Sequence, residues 1–246
     1  MRAKDGGVSV RDFESLVDRR TRLLSVAWVS HQNGFRHDMR PLADLAHAHG
    51  AYCYADGIQA VGMFPLDVVA AGVDFMTAGT YKWLLGSFGV APFYIRRELV
   101  ERIPLDRFGA LHVAKELGDH RYELHTTAKR FDYATLAFGP IYQLGAALSF
   151  LDRVGVHRIE EHTTALANRL NAGLRERGRR VLTPPGNRSS IVAFAVDPAG
   201  QPADRLARAG VEVSVREGGR QIRVSPALFN NAGEIDRFLT IAEGLA

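Results

Sequence analysis

The chain has 246 residues, enough to bury the core of one large domain or two modest ones. Its composition, 46% hydrophobic and 24% charged with 24 glycines, is that of an ordinary globular protein and excludes a disordered or fibrous one. The net charge of +4 comes from basic residues interleaved with acids, as at Arg97-Glu98, and the densest run, 175–180, reads as a solvated helix end, so no nucleic-acid partner is expected.

Residues 23–29 form a buried strand pattern, followed by a polar turn at 30–36 and a helix over 38–49 whose apolar positions are Met39, Leu42, Leu45 and Ala46. Asp38 is placed to cap that helix and Gly50 to end it. A second strand at 51–55 delivers Asp56 into a turn, and a third at 73–77 leads into Gly79-Thr80-Tyr81-Lys82. Alternating strands and helices predict a mainly parallel sheet, and in such sheets ligands bind beyond the carboxyl ends of the strands. Residues 89–96 read as a further strand, possible in the antiparallel sense, and 105–130 as a long irregular loop. Two long helices, 138–153 and 156–177, then bridge to a small α+β region: a strand at 191–196, a helix at 203–209, strands at 211–215 and 221–225, and a closing helix from 232. The division predicted is a large domain over 1–137 and bridging helices with a small domain over 138–246.

The single cysteine, Cys53, excludes an intrachain disulfide framework and suits a reducing compartment. No apolar run has the length of a membrane span and the N-terminus has no signal-peptide core, so the expected address is the cytoplasm, with no membrane partner. No metal site is predicted.

Three polar clusters arrive on one rim of the predicted sheet: 30–33, 56–59 and 80–82. Lys82 follows a buried strand, with Gly79, Gly86 and Gly89 allowing close backbone approach. A partly desolvated lysine loses its proton more readily and becomes nucleophilic, although a lysine after a strand is more often a surface residue. Asp56 is a carboxylate fixed at a strand end, a position also common for ordinary turn residues. Gln59 reaches the same face.

Tyr54-Ala-Asp56-Gly-Ile-Gln59-Ala-Val-Gly62, then Gly72-Val-Asp74-Phe, then Lys82-Trp-Leu-Leu-Gly86, is similar to the cofactor-binding segment of the class V aminotransferase and cysteine desulfurase family. The resemblance implies an α/β fold of the pyridoxal-phosphate-dependent transferase type, fold type I, with a partial large domain, mainly parallel, and a small C-terminal α+β domain. It implies pyridoxal 5'-phosphate as cofactor. Lys82 would carry it as a Schiff base, Asp56 would hold the proton on its ring nitrogen, and Gln59 would donate to its ring oxygen. Ser30 or His31 fills a further position beside that oxygen. Arg130-Phe-Asp-Tyr-Ala-Thr135 resembles the segment whose threonine reaches the phosphate of the neighbouring subunit, which implies a homodimer with shared active sites. Arg216 and Arg220-Gln-Ile-Arg223-Val-Ser225 resemble the segment that binds the substrate carboxylate, with Arg223 preferred and Arg216 second. Arginine suits that task because its planar guanidinium makes paired hydrogen bonds and stays charged.

The chain also departs from the pattern. The family has a histidine before the lysine and often a serine earlier, where this chain has Tyr81 and Gly79; Thr80 or the Tyr81 hydroxyl is expected to compensate at the phosphate. Cys53 falls in a buried strand, which disfavours a persulfide-forming desulfurase. Met1 enters the family pattern shortly before the strand at 23–29, so an N-terminally truncated member is expected. The function implied is transamination of a small amino acid or keto acid, the alternatives being a lyase, epimerase or cysteine desulfurase-like enzyme of the same family, or a truncated dimerising domain that keeps the fold without catalysis. A nucleotide-binding domain is disfavoured, because no glycine-rich phosphate loop follows a strand.

Overall fold

The computed structural model describes residues 6–245; Met1 and the start of the predicted large domain lie outside the described residues. A short helix, α1 (Val10–Glu14), precedes the first strand, β1 (Leu23–Ala27). Helix α2 (Met39–Ala48) buries Met39, Leu42, Ala43 and Ala46, one face at helical spacing. The Asp38 side chain accepts from the Arg40 N–H at 3.3 Å to cap it, and Gly50, at φ +70°, takes the left-handed conformation that ends it.

Strands β2 (Tyr52–Asp56) and β3 (Phe75–Thr77) join β1 in parallel, and β4 (Phe93–Ile95) closes the edge antiparallel, in the order β1-β2-β3-β4. The register sets Ala27, Asp56 and Thr77 side by side, so the three following loops leave from one level. Pairing at β4 is shorter than the sequence suggests because Pro92 has no N–H to give the ladder. Beneath the sheet, fully buried Asp74 accepts from the Cys53 N–H at 2.7 Å, meets the His47 ring at 2.8 Å and pairs with Arg96. It ties β2, α2 and β4 together, and a buried carboxylate needs such partners.

The stretch expected to be irregular is an ordered hairpin instead, β5 (Val113–Gly118) and β6 (Arg121–Leu124). Asp119 and His120 turn it with φ of +48° and +59°, the paired left-handed conformations of a tight hairpin turn. Its strands are exposed on both faces and carry no alternating apolar pattern, so the periodicity that betrays a strand was absent.

Helices α3 (Phe138–Val154) and α4 (Val156–Glu176) meet at Gly155, φ +89°. In α4, Ile159, Thr163, Leu166, Leu170 and Leu174 make a buried stripe. In α3 only Leu151 is buried, while Phe138 and Tyr142 lie 54% and 74% exposed. The C-terminal part pairs β7 (Val192–Ala195), β9 (Gln221–Val224) and β8 (Ser214–Arg216) antiparallel in the order β7-β9-β8. Helices α5 (Pro202–Arg208) and α6 (Ala232–Glu243) complete it. Helix α6 packs on α4, where Gly173 leaves room for Leu239: a Cβ there would stand 2.4 Å from it. Among the described residues no helix is long and apolar enough to cross a membrane.

The two parts are joined through the loop after β1. Thr183 Oγ1 donates to the Asn33 carbonyl at 2.7 Å, and Ser189 Oγ and Asn187 Nδ2 donate to the Gly34 carbonyl at 2.6 and 2.9 Å. Gly34 is at φ +77°, and a Cβ on it would fall 2.2 Å from the Ile191 carbonyl oxygen. Arg36 lies over the Phe64 ring at 3.5 Å, pairs with Glu160 of α4 at 2.7 Å and donates to the Arg188 carbonyl at 3.3 Å. Both side chains of the ion pair are largely shielded. Arg36→Ala, which removes the contact with Phe64 and leaves the shielded Glu160 carboxylate only Arg188 at 3.7 Å, is expected to lower unfolding stability by about 2–3 kcal/mol in chemical denaturation. Arg20→Ala, which removes only an exposed pair with Asp18, should change stability by less than about 0.5 kcal/mol.

Candidate active site

The three parallel strands end level, so the loops after them face each other across one rim. Asp56 ends β2, and the Ile58 N–H donates to its Oδ1 at 2.9 Å; Oδ2 has no hydrogen-bond partner among the described residues. The bond to its own turn holds the carboxylate in place and leaves an acceptor free. Gln59 is buried, and its Oε1 accepts from Trp83 Nε1 at 2.9 Å. That bond orients the amide, leaving Nε2 as its donor.

Lys82 Nζ has no hydrogen bond or ion pair among the described residues and lies 5.8 Å from the centroid of the Tyr81 ring. Burial lowers its pKa from the ordinary lysine value, and Arg223 and Arg216 add to that, while Asp56 opposes it. The same neighbours act on His31, whose pKa is lowered by burial first and then by Arg216, Arg223 and Lys82. Five ionisable groups from both parts of the chain therefore share one field.

Arg223, on β9, donates from Nη1 to the His31 carbonyl at 2.7 Å and from Nη2 to Ser214 Oγ at 2.9 Å. Its Nε is buried with no partner, and so is that of Arg216. A guanidinium carries five N–H donors, so both arginines keep capacity for an anion. A cavity of about 280 Å³ opens between Lys82 and Arg223, with Gln59, Trp83, Ser225 and Leu228 among its walls. Four roomier clefts, of about 410, 810, 320 and 310 Å³, do not contain Lys82, so the site is assigned by converging groups and not by size.

The remaining sequence-derived residues are placed differently. Ser30 Oγ accepts from the Gln32 N–H at 3.2 Å and its backbone N–H donates to Phe35, so it shapes the loop; the exposed His31 ring sits beside the Gln32 amide at 3.2 Å. Thr80 is fully buried, and its hydroxyl reaches the Ser87 and Val90 carbonyls at 2.6 and 3.0 Å. One hydroxyl proton committed there is not available to a phosphate. Tyr81 is 41% exposed and stacked on Phe88 at 4.4 Å. Thr135 stands exposed before α3, outside the cavity. Sequence reasoning did not single out Trp83 as the partner of Gln59, nor Leu85 and Ile159 as walls. Trp83 directly follows the lysine and was within reach of a local argument; Ile159 is brought in only by packing of α4.

Cys53 is buried in β2, and burial pushes its thiol up to about 11. It is protonated and enclosed, a structural thiol.

The chain is 30% identical over 233 residues to a protein of Bacillus subtilis (strain 168) called "Uncharacterized aminotransferase YcbU", covering 94% of this chain and 61% of that protein. It is 33% identical over 190 residues to a cysteine desulfurase of Klebsiella pneumoniae, covering 77% of this chain and 47% of that one. The chain thus spans about half to three fifths of the length of these relatives. In three dimensions it is similar to the apo cysteine desulfurase of Thermococcus onnurineus NA1, with a TM-score of 0.86 at 23% identity, over 99% of this chain and 64% of that one. It is also similar to a cystine C-S lyase solved with its product cysteine persulfide, with a TM-score of 0.88 at 21% identity, over 98% and 65% of the two chains. These likenesses establish the fold, the type I α/β architecture expected from the sequence. The class-V aminotransferase model matches residues 2–238, and the chain belongs to that family.

Proposed function

We propose that this chain forms a pyridoxal-phosphate site and acts on an amino acid, with transamination as its reaction. The observation that carries the reading is the unpaired Lys82 amine, of lowered pKa, facing an Asp56 carboxylate that has an oxygen to spare. When bound, pyridoxal phosphate supplies an aldehyde to which amines add and a ring that accepts electrons from the substrate α-carbon. The residues present fit that group. Lys82 Nζ, short of a proton partner, is the amine to hold it. Asp56 Oδ2 would accept the ring N–H and keep it protonated, and Gln59 Nε2, oriented by Trp83, would donate to the ring oxygen, with His31 in the same field.

Once substrate takes its place, Lys82 would move a proton at the α-carbon, a task favoured by the burial that lowers its pKa. The free donors of Arg223, helped by Arg216, hold the substrate carboxylate. With Thr80 committed to its own loop, the phosphate would rely on Tyr81 and on Thr135 of a second copy. This supports a homodimer with shared sites, and the exposed aromatic residues of α3 beside Thr135 are a surface suited to it. The large part, 1–137, holds the cofactor groups, and 138–246 supplies the bridging helices and the carboxylate clamp. The buried thiol of Cys53 leaves no group of this chain placed to take up sulfur, and a lone reduced cysteine suits the cytoplasm.

Pyridoxal phosphate added to the purified chain, followed by borohydride, should leave a stable adduct on the peptide containing Lys82. An adduct of equal yield in Lys82→Ala would falsify the assignment. Arg223→Gln is expected to raise the KM for the amino-acid substrate by about 10- to 100-fold, the loss of a charge-assisted bond, with a smaller change in kcat.

Reductive methylation of Lys82 by formaldehyde as a function of pH, read by mass spectrometry, reports the field around the amine. Only the neutral amine reacts, so the profile follows the lysine's titration. Arg223→Gln removes a cation that lowers the Lys82 pKa and should shift the profile to higher pH; Asp56→Asn removes the anion that raises it and should shift the profile lower.

A further inference from the structure

Leu85 has a backbone conformation that leucine rarely adopts, φ +57°. In this region Cβ crowds the following carbonyl, and a turn that merely needs a positive φ takes glycine. The loop leaves Leu85 no other choice. Its N–H donates to the Lys82 carbonyl at 3.0 Å, and the next N–H, of Gly86, donates to the Thr80 carbonyl at 2.8 Å. Below the loop is Gly62, where a Cβ would stand 2.5 Å from the Trp83 carbonyl oxygen, so the segment is pressed against bare backbone. A side chain kept at a strained position beside reactive groups points to a task for that side chain.

The task is visible in the cavity. Leu85 lines the space between Lys82 and Arg223, together with Trp83, Ile159 and Leu228, and it packs against the cluster of Leu84, Leu151 and Ile159. The two cations of the cavity are already assigned, one to the cofactor and one to the substrate carboxylate. Another charge on the substrate would meet the apolar wall without a partner, which is unfavourable.

We propose that Leu85 sets the size limit of a subsite for a compact, uncharged apolar side chain, so that the amino acid taken beside Lys82 belongs to that class. This rests on the function proposed above for Lys82 and Arg223. Leu85 is a specificity-determining residue, and its strain keeps the isobutyl group aimed into the cavity where glycine would leave it open.

The test uses the full chain loaded with pyridoxal phosphate, as wild type, Leu85→Gly and Leu85→Ala. Alanine, 2-aminobutyrate, norleucine, aspartate and lysine are titrated against the visible band of the cofactor, and the melting temperature of each variant is measured. Wild type is expected to saturate with alanine and 2-aminobutyrate at concentrations about 10-fold or more below those for aspartate and lysine. In Leu85→Gly the ratio of norleucine to alanine affinity should rise by about 10-fold, the discrimination a few methylenes allow, with Leu85→Ala between the two. Leu85→Gly should stay folded and melt within a few degrees of wild type, because relief of the left-handed strain offsets part of the missing isobutyl packing. A ratio unchanged in both variants, or charged amino acids binding as well as alanine, overturns the proposal. A Leu85→Gly protein that melts several degrees lower with that ratio unmoved makes Leu85 a packing residue alone. A wild type with neither a visible band nor a borohydride adduct on Lys82 defeats the cofactor reading, and this one with it; a normal band with an unmoved ratio defeats only the role of Leu85.

Discussion

The bond from Arg223 to the His31 carbonyl, 2.7 Å long, joins the two ends of the site. One partner lies in the loop after the first strand and the other on a strand of the small C-terminal sheet. Beside it Gln221 Nε2 donates to the Gln32 carbonyl at 2.6 Å, so two neighbouring carbonyls of one loop receive two side chains of one strand. The C-terminal sheet is docked on the rim where Asp56 and Lys82 emerge, and the position of Arg223 follows from that docking. Everything that fixes the loop at 30–36, from Gly34 under Ile191 to Arg36 against Glu160, therefore also fixes the distance of Arg223 from Lys82 and Asp56.

Three cations and a histidine gathered around one aspartate are an unstable arrangement in isolation. The repulsion appears in the lowered pKa values of Lys82 and Arg223, for both of which burial is the first cause and a neighbouring guanidinium the next. Folding tolerates it because each arginine is anchored by packing or by bonds to neutral acceptors, leaving its charge uncompensated. A site in that condition gains stability when anions enter. A phosphate-bearing cofactor and a substrate with one carboxylate would supply them, which is how the electrostatics and the proposed function support each other.

The elements that could be read from the sequence are those with a strong local period or a punctuating residue. Helix α2 was legible from Asp38, Met39, Leu42 and Gly50, and the parallel strands from short apolar runs ending in polar clusters. The hairpin at β5 and β6 was not, since its exposed, charged strands show no alternation. At the site, Lys82, Asp56 and Gln59 are close in sequence to strand ends and could be found there. Thr80 could not be judged, because its burial and its bonds to Ser87 and Val90 depend on a turn whose shape is set by Leu85 and Gly86. Ile159 and Leu228 reach the cavity by tertiary packing alone, for which neither periodicity nor spacing gives a sign.

Helix α3 poses the remaining physical problem. It carries Phe138, Ile141, Tyr142, Leu148 and Phe150, all at least 36% exposed, while its neighbour α4 buries its apolar residues in one stripe and turns polar ones outward. Tyr133 and Leu136 extend the same apolar stretch toward Thr135. Apolar surface of this extent on an otherwise well-packed chain marks a contact face. In the homodimer proposed above this patch would meet its own copy, and Thr135, at its margin and absent from the walls of its own cavity, would be left to reach the phosphate held by the other chain.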